Sequence, residues 1–148
     1  MSAAIACAGC VTSPGVPERP PVAVATSDEI ALYLDTMDAL ATADRDRQID
    51  VFDEVERAYL TAPTTTNTLR YAAALVTAGH PDTDPERAHA VLVELLAGPG
   101  VLTPSERKLA SILRQQAAAV IALETENRRL TATVDEQAQA QLSSARRT

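Results

Sequence analysis

The chain is poor in almost everything that reads a flat or charged ligand. It has no tryptophan, and Tyr33, Phe52, Tyr59 and Tyr71 are the only aromatic residues among 148. Stacking platforms for bases or sugars are therefore not expected. Lys108 is the sole lysine, and 13 basic residues face 20 acidic ones, for a formal net charge of -7. The dense basic stripe of a nucleic-acid binder is missing. Cysteine stops at Cys10, so the folded part of the chain cannot hold an internal disulfide. No glycine-rich phosphate loop, G-x-S-x-G elbow or H-E-x-x-H helix is present. No segment alternates with period two for long enough to make a strand. No apolar run approaches the roughly 20 residues that a membrane-spanning helix needs.

What is present begins at the N-terminus. Met1 to Gly9 is small and apolar, and ends against Cys10. This stretch is short for a signal h-region and lacks a positive n-region. Its end nevertheless matches the close of a bacterial lipoprotein signal, where an aliphatic residue and two small residues precede the cysteine that is diacylated. Ala8-Gly9-Cys10 supplies the small-small-Cys part, with Cys7 where leucine is usual. Ala4-Ile5-Ala6-Cys7 is a second register, with alanine in the aliphatic place. Lipidation is thus expected on Cys10 or Cys7, and a start codon upstream of Met1 accounts for the missing n-region. Two other readings stay open: a C-x-x-C that is redox-active or binds zinc, and two stray cysteines in a disordered leader. Residues 11–26 follow, with Pro14, Pro17, Pro20 and Pro21 among the chain's nine prolines. Proline fixes φ and removes backbone donors, so this segment is an extended spacer.

From residue 27 the punctuation is helical. Thr26 and Glu29 form a T-x-x-E capping box. Ile30, Tyr33, Leu34, Met37 and Leu40 then keep helical spacing over about 27–42. A second helix over about 45–60 turns Ile49, Phe52, Val55 and Tyr59 to one face. Its other face carries Asp46, Asp50, Asp53, Glu54, Glu56 and Arg57. A third over about 67–78 starts near Asn67, with Gly79 as its left-handed C′ residue. Asp84-Pro85 opens a fourth, which stops at Gly98-Pro99-Gly100. Thr103-Pro104-Ser105-Glu106 opens the fifth with a capping box and proline at its first position. Short connections predict antiparallel neighbours. The rhythm resembles tetratricopeptide or Sel1-like hairpins, although no second copy stands at a period of about 34–36 residues.

The fifth helix has neither Gly nor Pro from Ser105 onward. Steps of four and three place Leu113, Val120, Asn127 and Val134 at heptad position a, and Leu109, Leu123 and Leu130 at d. Ile112, Ala110 and Ala117 widen the stripe early, as for a helix that also packs on its own domain. Beyond Val120 it narrows to a coiled-coil seam of Val120, Leu123, Asn127, Leu130 and Val134, before decaying into Gln137 and Gln141. Valine at a with leucine at d favours two parallel strands, and a lone asparagine at a fixes register. An isolated helix of this kind is marginal in water, so the arm is expected to pair with itself or with a heptad-bearing partner; a frayed, partnerless helix is the other reading. A basic-zipper DNA reader is excluded, since the preceding turns hold only Arg107, Lys108 and Arg114.

Catalytic candidates are thin. His80, Asp82, Asp84 and His89 lie close in sequence and could be imagined as metal ligands. Turn and capping chemistry explains the first three more simply, and His89 is a helical residue. Asp44, Asp46 and Asp50 lack the mid-loop glycine and terminal glutamate of an EF-hand. We expect no catalytic residue, no metal site and no cofactor beyond a covalent lipid.

The expected architecture is all-α: a truncated signal and lipobox at 1–10, a Pro-rich linker at 11–26, an antiparallel helical-hairpin domain at 27–115 and a coiled-coil arm with a frayed end at 116–148. Within it stand Leu69-Arg70-Tyr71-Ala72-Ala73-Ala74-Leu75, Asp84-Pro85-Glu86-Arg87-Ala88, Leu102-Thr103-Pro104-Ser105-Glu106-Arg107 and Glu124-Thr125-Glu126-Asn127-Arg128-Arg129-Leu130. Over roughly residues 28–137 the chain resembles the small proteobacterial lipoproteins associated with the QseE/QseF two-component system (QseG, or YfhG, type). The resemblance implies a lipid-anchored outer-membrane protein on the periplasmic face. It also implies a regulatory partner role towards a sensor histidine kinase, without catalysis. The shortened signal and short coiled coil depart from that pattern. If Met1 is the true start, the alternative is a soluble cytoplasmic interaction module with a tetratricopeptide-like groove.

Overall fold

A computed structural model describes residues 27–98 and 102–146. Every element among them is a helix: α1 (Ser27–Thr42), α2 (Arg45–Thr61), α3 (Thr65–Val76), α4 (Pro85–Ala97) and α5 (Pro104–Ala145). The fold is all-helical among the described residues, with a long C-terminal helix. Thr26, the first half of the expected capping box, lies outside the described residues.

α3 is the central element and touches α1, α2, α4 and α5. Its residues from Tyr71 to Val76 are all buried. A helix enclosed on every side must be apolar all round, and Leu69, Ala72, Ala73, Ala74, Leu75 and Val76 meet that demand. The alanines also let neighbouring helices approach closely. Around this axis Tyr33, Leu40, Val55, Leu92 and Leu113 complete the core. Each such leucine contributes about 1.5–3 kcal/mol by leaving water.

Caps decide most of the helix ends. The Asp44 carboxylate accepts from the Arg47 amide at 3.0 Å and starts α2. Asp84 does the same for α4 through Arg87 at 2.9 Å, with Pro85 at the first helical position. Thr103 and Glu106 form the reciprocal capping box of α5 behind Pro104. α3 begins two residues earlier than Asn67, because the Thr64 hydroxyl accepts from the Asn67 amide. Asn67 works in the other direction. Its side-chain amide donates to Ala62 O at 2.9 Å and Ala58 O at 3.3 Å, closing the end of α2.

Gly79 has the expected positive φ, at 110°, but does not occupy C′. α3 has already ended at Thr77, whose amide returns to Ala74 O and whose hydroxyl donates to Ala73 O. The glycine instead serves the following turn, where the Asp84 amide donates back to Leu75 O and the Thr83 hydroxyl to Thr77 O.

α2 is rolled from its expected face. Gln48, Val51, Phe52 and Val55 point inward, whereas Ile49 is more than one-third exposed. Gln48 is drawn in because its Nε2 donates to Leu40 O at 2.8 Å, capping the last turn of α1. Glu56 is also not on the solvent face but half-buried.

α5 changes character along its length. Glu106, Ala110, Leu113 and Ala117 are buried, chiefly against α4, and Val120 and Ile121 are half-buried. From Ala122 to Arg146 every described side chain is exposed except Thr133, whose hydroxyl bonds Arg129 O. No described helix is long and apolar enough to cross a membrane.

Candidate functional site

The residues nominated as a pairing seam occupy the free half of α5. Leu123, Leu130 and Val134 are 65%, 47% and 62% exposed. Asn127 stands exposed between them, and Val120 is half-buried where the arm leaves the domain. At about 100° of rotation per residue, these five lie roughly a quarter-turn from the stripe of Ala110, Leu113 and Ala117 that packs on α4. The seam is therefore clear of the domain.

Ile112 belongs to this outer side. It was expected to help α5 pack on its own domain, yet it is 60% exposed. Two residues from Ala110, it projects from nearly the opposite face of the helix. An apolar stripe thus continues from Ile112 through Leu123 and Leu130 to Val134. The flanking charges are tied along the helix instead of reaching outward. Arg129 holds Glu126 in a two-pronged pair at 2.6 and 2.8 Å, and the Arg128 Nε donates to Glu124 O. The Arg129 guanidinium holds the Glu126 carboxyl below its ordinary value. The Asn127 side-chain amide has no hydrogen-bond partner among the described residues, although its backbone carbonyl accepts from Thr131.

A second feature was not foreseen. Beside the start of α4 lies an open cleft of about 480 Å³, lined by Phe52, Glu56, Leu75, Asp84, Arg87 and Glu124 among others. Two of these residues, Glu56 and Arg87, meet at the buried Tyr71. Its hydroxyl donates to Glu56 Oε1 at 3.2 Å, the Tyr59 ring stacks on it at 4.5 Å, and the Arg87 guanidinium lies 5.1 Å from its ring centre. Arg87 also reaches Glu56 at 3.5 Å. Burial pushes the Tyr71 hydroxyl up to about 12. The i, i+3 spacing of Glu56 and Tyr59 was the only hint in the sequence, since Tyr71 and Arg87 arrive from other helices.

The His/Asp group around residue 80 serves the α3–α4 turn. His80 is buried against Phe52, with ring centres 5.3 Å apart. Its Nε2 lies 2.9 Å from Ala74 O, and its Nδ1 accepts from the Asp82 amide at 3.3 Å. Asp84 is committed to its cap and His89 is half-buried on α4. Among the described residues no group of three or more His, Cys, Asp or Glu is placed to hold a metal ion. Cys7 and Cys10 lie outside the described residues. No family model, curated protein or solved structure matches the chain.

Proposed function

We propose that the protein is a non-catalytic helical adaptor, held at a membrane by acyl chains on Cys10 or Cys7 and engaging a protein partner through the outer half of α5. The observation that carries this reading is the apolar stripe of Leu123, Leu130 and Val134, left open to water on a helix that has outrun its domain. Its magnitude sets a demand on the partner. Each such side chain contributes about 1.5–3 kcal/mol when buried, against an association cost of about 4–15 kcal/mol. A partner must therefore cover the whole stripe, which a helix of matching heptad period does. Anchoring follows the same physics, at about 0.8 kcal/mol per buried CH₂, and stable retention takes more than one chain. The resemblance to the QseG-type lipoproteins supplies the setting: the periplasmic face of the outer membrane, with a sensor histidine kinase as the regulated partner.

Replacing Cys7→Ala and Cys10→Ala in the full chain expressed from its own locus is expected to release the protein from membranes, and retention refutes the anchor. Leu123→Ser with Leu130→Ser is expected to abolish partner capture, and undiminished capture shows the seam to be idle.

The acidic cleft favours a second reading, a soluble interaction module that takes a cationic peptide between helices. Glu56, Asp82, Asp84, Glu86 and Glu124 there outnumber Arg87. That reading predicts unmodified cysteines and peptide binding that survives the two serine substitutions in the arm.

A further inference from the structure

We infer that the mate of the arm is a second copy of this chain, lying parallel and in register from Val120 to Val134. The inference rests on the reading of the arm as a pairing element and narrows it: a second copy fills the heptad seam, and the regulated partner engages the paired arms.

Asn127 carries the argument. Its side chain brings an amide donor and an acceptor into the middle of an apolar seam, and neither has a partner among the described residues. Burying such an amide against leucine leaves both groups unsatisfied, which is costly. A parallel, in-register pair sets each seam residue against its own copy. Asn127 then meets Asn127 of the other chain, and each amide supplies what the other lacks. An antiparallel pair sets an a residue against a d residue. In the registers that keep the leucines together, Asn127 would face Leu123 or Leu130.

The charges agree. In a parallel pair each g residue faces the e residue of the next heptad on the other chain. That gives Ala119 with Glu124, Glu126 with Thr131, and Thr133 with Ala138, so no like charges oppose one another. The antiparallel register with Asn127 on Leu123 brings Glu124 and Glu126 each against its own copy. Glu126 is already held by Arg129 along its own helix, so it asks for no cation from a partner. Valine at a with leucine at d selects two strands. Ile112, exposed on the same side, extends the contact back alongside the domain. Parallel pairing places both domains at one end of the rod, so that both N-terminal anchors reach the same membrane.

The test uses the full chain carrying Cys7→Ser and Cys10→Ser, so that a disulfide reports only an introduced position. Sedimentation equilibrium is expected to show a reversible dimer. Leu123→Ser with Leu130→Ser is expected to weaken it more than about 100-fold, with the tyrosine near-ultraviolet circular dichroism of the domain unchanged. Asn127→Leu is expected to tighten association about 10-fold while admitting trimers. Leu123→Cys and Leu130→Cys, each made alone, are both expected to give disulfide-linked dimers on mild oxidation, because a parallel pair brings each within disulfide reach of its own copy. An antiparallel pair does so for at most one position. A dimer that cross-links at one position or neither overturns this inference and leaves the arm as a pairing element. A chain that stays monomeric up to about 1 mM overturns self-pairing. If the serine variant is also undiminished in partner capture, the adaptor reading falls with it.

Discussion

Tyr33 and Glu106, 73 residues apart, meet in a buried hydrogen bond of 2.8 Å. Tyr33 lies on α1 and Glu106 in the first turn of α5, so this bond ties the first helix to the last. The carboxylate does two jobs. Oε1 accepts from the tyrosine, while Oε2 accepts from the Thr103 amide at 3.0 Å and the Thr103 hydroxyl at 2.9 Å. One residue thereby starts α5 and fixes where it starts.

Removing the two halves of this arrangement is expected to have unequal costs. Tyr33→Phe loses one hydrogen bond to a charged acceptor, at about 1.5 kcal/mol. Glu106→Ala strands the buried Tyr33 hydroxyl as well as the Thr103 donors, at about 3 kcal/mol or more. Urea unfolding of both variants checks the order. A Glu106→Ala loss no larger than that of Tyr33→Phe would show that the cap contributes nothing.

Two of the three tyrosines make the fold sensitive to alkali. Burial opposes ionisation of Tyr33, and its hydrogen bond to Glu106 adds to this, so its hydroxyl is held well above the ordinary value of 10.0. Tyr71, buried against Glu56, is pushed up to about 12. In both the folded pKa exceeds the unfolded one. Both contributions are complete below about pH 10; that of Tyr71 is lost as pH rises through about 12, and that of Tyr33 at higher pH still. Unfolding free energy is expected to fall steeply above pH 10, less steeply in Tyr71→Phe, and phenolate absorbance should lag that of free tyrosine. A Tyr71 phenolate half-formed at pH 10 contradicts this.

How legible this molecule is in its sequence depends on the range of the interaction. The Asp84-Pro85 and Thr103-Pro104-Ser105-Glu106 starts follow from local chemistry, and the structure places both caps there. The heptad stripe is likewise local, since helical periodicity alone fixes which residues share a face. Ile49 and Gln48 mark where this ends. Hydropathy favours burying the isoleucine, yet the open carbonyl of Leu40 draws in the glutamine, and that carbonyl belongs to another helix. The Glu56–Tyr71–Arg87 cluster is hidden for the same reason, since three helices must first pack before its members are neighbours.

Gly79, in the turn after α3, and Gly98, the C-cap of α4, are expected to respond in opposite directions to alanine. Gly79 has φ of 110°, with ordinary van der Waals space around an added Cβ, so the strain comes from the backbone alone. Gly79→Ala should cost about 1–2 kcal/mol. Gly98 sits at φ -64°, which any residue adopts, and a Cβ there would also find ordinary contact distances. Gly98→Ala should gain up to about 1 kcal/mol by restricting the unfolded chain. Thermal unfolding of the pair decides it, and a reversed order would mean that the turn at Gly79 relaxes freely.

Ending the chain after Ile121 separates the two roles of α5. The buried face of the helix closes with Ala117 and its half-buried flank with Ile121. Beyond that point no side chain joins the core. The shortened chain should therefore unfold within about 0.5 kcal/mol of the full one, while losing the helical signal of the arm. In the full chain that signal should rise with protein concentration, because an unpaired helix of this length is marginal in water and gains its order from a mate. A loss of more than about 2 kcal/mol on shortening would place the arm in the domain's own stability. The exposed stripe from Leu123 to Val134 would then need a cause other than pairing.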